Sequence, residues 1–262
     1  MTRRKFVPAA AAGAAALKGQ TIQAKAKPCV YELRIVHHRN SADNQRQRMT
    51  DLLRNATLPA LEKYGAGPVG FFASSIAPGG PFLMALISYP SMAAMEDIRA
   101  RMNADAAYVK QIEAFNAMPG LGYERLENSL LRAFPGMSAI EVPPNDGKRP
   151  SKIFELRTYE SNNSATLRRK IKMFEEGGEI AIFRKLGMQP VFFGETIVGR
   201  NMPSLTYMLA YDDLAARERM WKAFGRDPDW MKLRDQPGLS DAEIVSNIST
   251  AILSPLAFSP IR

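Results

Sequence analysis

The residues best equipped for chemistry come in two copies of one short pattern. Glu32 and Arg34 stand two apart in Val30-Tyr-Glu-Leu-Arg34, as do Glu155 and Arg157 in Ile153-Phe-Glu-Leu-Arg157. Positions two apart share a face of an extended strand, so each copy sets a carboxylate beside a guanidinium. The alternate residues, Tyr31 and Leu33 or Phe154 and Leu156, are expected to pack on helices, leaving the Glu-x-Arg faces turned toward each other. Two readings follow. In one, the four charges line a polar cavity where Arg34 and Arg157 hold a carboxylate or enolate, and Glu32 and Glu155 complete the ligand contacts. In the other they form a structural ion-pair lattice, because buried charges must be paired. His38 and Tyr159 are the candidate catalytic groups on those faces, the imidazole as a general base near neutral pH. A strand-end histidine beside Arg39 also reads as an ordinary exposed one. Trp221 and Phe193 are the candidate aromatic ligand contacts, with core packing of Trp221, Phe224 and Trp230 as the alternative.

The counts exclude several kinds of site. A single cysteine, Cys29, allows no internal disulfide and no multi-cysteine metal centre, and His37 and His38 are the only histidines in 262 residues. No metal and no cofactor are therefore expected. Gly177-Gly178 falls inside a helical pattern and reads as a break, not as a phosphate loop. Of the net charge of +9, five come from Arg3, Arg4, Lys5, Lys18 and Lys25, with no acid in the first 26 residues. The remaining excess is too mild for a nucleic-acid footprint. Arg3-Arg4-Lys5-Phe6, an apolar run to Leu17 and the small-residue site Ala24-Lys25-Ala26 compose an export signal of the twin-arginine type at residues 1–26. The run is too short to span a bilayer. A periplasmic or secreted protein without stable membrane insertion is expected.

The remaining chain is one unit written twice. From Lys63 to Lys110, 13 of 48 ungapped positions are identical to residues 122 further on, including Gly65/Gly187, Pro81/Pro203, Tyr89/Tyr211 and Asp105/Asp227. About three identities would arise from ordinary residue usage. β-branched and aromatic runs predict strands at 30–36, 68–76, 82–89 and 126–134, repeated at 153–159, 190–198, 205–211 and 244–253. Apolar residues at helical spacing predict helices over 46–64 and 92–112, repeated at 167–186 and 214–233. Gly65 and Gly187 are placed to stop the first helix of each half. Residues 142–150, rich in Pro, Asn and Gly, read as a linker between halves at 28–141 and 151–262. The order β-α-β-β-α-β is that of an α+β, ferredoxin-like unit. Its sheet has one uncovered face, which a second tethered copy can cover.

Four segments of the second half, in order, resemble a NIPSNAP domain: Ile153–Tyr159, Gly187–Glu195, Leu209–Arg217 and Trp221–Trp230. The first half is similar more loosely, with Arg99 at the position of Trp221, Ala106-Ala107-Tyr108 for Pro228-Asp229-Trp230, and His37 for Glu160. The resemblance implies a dimeric α+β barrel, here formed within one chain. The wider superfamily includes cofactor-free monooxygenases, isomerases and haem-handling proteins, so it leaves activity open. Three functions stand: binding of a small, partly apolar molecule in a barrel or sheet–helix cavity, a cofactor-independent oxygenase or isomerase, and an assembly protein that forms homo-oligomers through its outer surfaces.

Overall fold

The computed structural model describes residues 27–145 and 151–262. The expected export signal and the greater part of the expected linker lie outside them. The first half contains β1 (Val30–His37), α1 (Gln45–Leu52), α2 (Leu58–Tyr64), β2 (Val69–Ile76), β3 (Phe82–Tyr89), α3 (Met92–Ala104), α4 (Ala106–Asn116) and β4 (Arg125–Ala133). The second contains β5 (Ile153–Glu160), α5 (Ser164–Glu175), α6 (Glu179–Lys185), β6 (Gln189–Val198), β7 (Ser204–Tyr211), α7 (Leu214–Arg226), α8 (Pro228–Arg234), α9 (Asp241–Ile244) and β8 (Asn247–Pro255).

Three of the four long helices expected from periodicity are pairs. Asp105 and Asp227 take extended backbone, ending α3 and α7. Each carboxylate then accepts from two backbone N–H groups of the next helix, those of Ala107 and Tyr108 or of Asp229 and Trp230. A capping aspartate thus turns one amphipathic stretch into two helices. The third break is at Gly177-Gly178, where Gly178 has φ +83 and a Cβ on Gly177 would meet the Met173 carbonyl at 2.6 Å. In the fourth stretch, one π-helical turn at Leu53–Thr57 joins α1 to α2, and Gly65, at φ 86, stops α2 as expected.

The eight strands close into one antiparallel barrel in the order β1-β3-β2-β8-β5-β7-β6-β4. Each half supplies four consecutive strands. The halves meet edge to edge, β2 on β8 and β4 on β6, so closure removes the exposed edges that an isolated sheet would carry. The lumen is packed with apolar side chains from both halves, including Tyr31, Leu33, Phe72, Met84, Phe154, Leu156, Phe192 and Met208. Ring pairs cross the divide: Phe72 with Phe154 at 4.9 Å, and Tyr31 with Phe192 at 5.4 Å. Two further cores lie outside the barrel, one per half, between strands and helices.

This packing reverses one expectation. The alternation along β1 and β5 is as read, but Tyr31, Leu33, Phe154 and Leu156 face the lumen, while Glu32, Arg34, Glu155 and Arg157 face the helices. The cause is the distribution of partners. The lumen is walled by apolar side chains from the strands, with Ile140 and Ile261 added from outside them, so a charge placed there would find no counter-charge. The helix layer brings arginines to the carboxylates.

Candidate functional site

Glu32 and Glu155 are each fully buried at the centre of a matched cluster. In the second half, Glu155 Oε1 accepts from Arg157, at 3.1 Å, and from Arg217 of α7. Its Oε2 accepts from the Tyr211 hydroxyl at 3.2 Å and from the Trp221 indole N–H at 2.7 Å. Burial pushes the Glu155 carboxyl up, but the Arg217 hydrogen bond, the Arg157 charge and the indole N–H outweigh it and hold it below the usual carboxylate range. The network runs on: Arg157 donates to the Tyr159 hydroxyl at 3.3 Å, which also accepts from Tyr207 at 3.0 Å. Lys170, with Glu179 at 3.2 Å, sits 5.3 Å from the Tyr159 ring centre. Burial raises the Tyr159 hydroxyl above its ordinary value, with the Arg157 charge opposing. Tyr159 is therefore a neutral, enclosed link in a chain of buried groups.

In the first half, Glu32 Oε1 accepts from Arg34 at 2.9 Å and from Arg99 of α3 at 2.7 Å, and its Oε2 from the Tyr89 hydroxyl at 3.1 Å. The second arginine has moved between the halves. Arg99 occupies the position of Trp221, and Met95 that of Arg217. Both devices bring a helix guanidinium to the buried carboxylate, but from different turns.

The exchange changes the space around the cluster. In the second half, Phe183, Trp221, Phe224 and Trp230 pack ring against ring, with centroids 5.7 Å apart for Phe183–Trp221, 5.4 Å for Trp221–Phe224 and 4.4 Å for Phe224–Trp230. The residues 122 positions earlier are Leu61, Arg99, Met102 and Tyr108. Three of the four rings are gone and the fourth is smaller. There the first half has a cavity of about 280 Å³ between sheet and helices, lined by these four with Arg34 and Tyr89 and by no acidic side chain. A larger groove of about 690 Å³ runs between α5, α6 and α8, but its lining mixes Lys172 and Lys232 with Glu176 and Asp229, away from either glutamate cluster.

The sequence-level candidates are distributed accordingly. Glu32 and Arg34 join one cluster, and Glu155, Arg157, Tyr159 and Trp221 the other. Phe193, expected as a ligand contact, is fully buried and stacked on Tyr207 at 4.9 Å. His38 lies just past the end of β1 and is buried beside a separate pocket of about 450 Å³ with Arg39 and Arg46. Burial, with the Arg46 charge adding, lowers its pKa, so the imidazole is neutral at pH 7. His38 and Tyr159 share no partner and belong to different halves. His37, on the same strand face as Tyr31 and Leu33, meets Phe82 of the lumen cluster and Glu127 at the barrel end. Tyr89, Arg99, Tyr211 and Arg217 complete the clusters and were not candidates. The equal offsets of Tyr89 and Tyr211 were the signal for two of them. Among the described residues no three His, Cys, Asp or Glu groups gather as a metal site, and no helix is long and apolar enough to cross a membrane.

The sequence model of the NIPSNAP family matches the chain twice, over residues 31–135 and 154–260. The chain belongs to the NIPSNAP family. No curated protein matches it. A NIPSNAP-like domain protein from Burkholderia xenovorans is 24% identical, with a TM-score of 0.37, over 42% of this chain and 89% of its own. A NIPSNAP family protein of unknown function from Agrobacterium tumefaciens is 21% identical, with a TM-score of 0.38, over 43% and 95%. A monooxygenase-like protein from Lactobacillus acidophilus NCFM is 13% identical with a TM-score of 0.56 and covers 87% of this chain and 94% of its own. At that identity the likeness shows the fold alone, an α+β barrel.

Proposed function

We propose that this NIPSNAP protein binds one small, partly apolar molecule in the helix–sheet cavity of its first half, and that its second half is the closed structural counterpart. One observation carries the reading. The same position in the fold is packed with four rings in the second half and open, at about 280 Å³, in the first. The space is reached from solvent past the exposed Asn103 and the 38%-exposed Arg99 side chain, so a solute can enter it without opening the helix layer. The lining sets apolar Leu61, Ile87 and Met102 beside Thr57, Asn103 and the guanidinium groups of Arg34 and Arg99, which suits a molecule with both a polar and an apolar part. The setting proposed for this binding is outside the cytoplasm, on the strength of the export pattern in residues 1–26.

Native and denaturing mass spectrometry of the protein purified from its own organism tests the reading. One small mass per chain, released on denaturation, is the expected result. Two masses per chain would make the halves equivalent, and none would leave the cavity without an occupant; either result contradicts the proposal.

A further inference from the structure

We infer that the ligand of the first-half cavity is a planar aromatic monocarboxylate of one or two rings, and that Arg99 is the residue that selects it. This rests on the cavity reading above and adds the chemical class. The second half shows what the fold places against this type of cluster. There the Trp221 ring lies 4.7 Å from the Arg157 guanidinium centre, and Tyr159 flanks the same group at 5.4 Å. In the first half the matching positions hold Arg99 and Val36, and among the described residues no ring lies over Arg34. The guanidinium face that the second half covers with an indole is thus left to the cavity. A flat π-system is the group such a face takes up.

Charge supplies the second element. Arg34 and Arg99 share one carboxylate, Glu32, and no other acid lines the cavity. One positive charge is left over at the cavity wall. Arg99 uses Nη2 on Glu32, and its side chain stays 38% exposed, so the rest of its fork can meet a second carboxylate. Size supplies the third, because about 280 Å³ lies just below the range for drug-sized ligands. Leu61, Met102 and Tyr108 provide the apolar walls for the ring edge.

Titration calorimetry of the full chain with benzoate, indole-3-carboxylate, hexanoate and indole tests the class. The two aromatic carboxylates should bind once per chain, at least about tenfold more tightly than indole, the worth of a charge-assisted hydrogen bond, and than hexanoate, the worth of a desolvated guanidinium–ring contact. Arg99→Met should remove the preference over indole and keep the preference over hexanoate, which rests on Arg34. Should this variant not fold, Arg99→Trp restores the residue of the other half, whose indole N–H can serve Glu32 as Trp221 serves Glu155, and it should abolish binding. Equal affinity for hexanoate would overturn the aromatic assignment, and equal affinity for indole the carboxylate. Either result would leave the cavity reading standing. Binding by none of the four overturns the class, whereas the cavity reading falls only if the native protein also carries no bound mass.

Discussion

At the residue scale, the two buried glutamates are structural charges whose value depends on their partners. Glu155 has no solvent and four donors, so Glu155→Ala strands Arg157 and Arg217 without a counter-charge. A loss of about 3–5 kcal/mol in denaturant unfolding is expected. Replacing both Glu155 and Arg157 by apolar residues would still strand Arg217. Only the triple exchange with Arg217→Met should bring stability back toward wild type. Glu179 gives a pH test with the opposite sign to an ordinary ion pair. Burial raises its carboxyl from 4.5 to about 7, with the Lys170 charge opposing. The folded protein therefore holds a proton that the unfolded chain has released between those values, so stability falls as pH rises through that window. Melting curves from pH 4.5 to 7 should show this decline in wild type and a flatter profile in Glu179→Gln. The glutamates and arginines were visible from sequence, because their spacing repeats. Their side of the sheet was not, since alternation sorts residues into two faces without saying which face meets helices. Arg99 and Arg217 were hidden because they serve the same carboxylate from non-equivalent positions.

At the scale of elements, the repeat allowed the strands to be placed closely, while the helix breaks needed a capping mechanism that periodicity does not report. Asp227-Pro228 and Gly177-Gly178 signalled theirs through residue type. Asp105, followed by Ala106, did not. The first helices also differ in how they begin. Asn163 accepts from the N–H groups of Ala165 and Thr166 and completes a capping box with the Thr166 hydroxyl. Asn44, in the left-handed region at φ 50, makes no side-chain cap for α1. Asn163→Ala should therefore cost about 1 kcal/mol in chemical denaturation. At position 44, Asn→Gly should change stability by a few tenths at most, since glycine accepts that backbone freely.

For the whole molecule, duplication gives one barrel and two unequal helix–sheet layers. Because the halves share a lumen, they should unfold together. The Phe72–Phe154 contact crosses the divide, and Phe154→Ala should lower stability by about 3–5 kcal/mol within a single transition. Loss of the tryptophan signal, confined to the second half, should then coincide with loss of far-UV dichroism. The tandem barrel was legible from the repeat and its strand order. The apolar lumen and the asymmetry of the outer layers were not, because both depend on how side chains from distant segments fill a shared volume. That asymmetry carries the central claim, and filling the cavity tests it most directly. Leu61→Phe, Met102→Phe and Tyr108→Trp together install three of the four rings that pack in the second half. The bound small molecules per chain should then be counted by native mass spectrometry, in wild type and in this variant. The account expects one in wild type and none in the folded, ring-filled protein. A molecule still bound at wild-type stoichiometry in the variant would place the site elsewhere and contradict it.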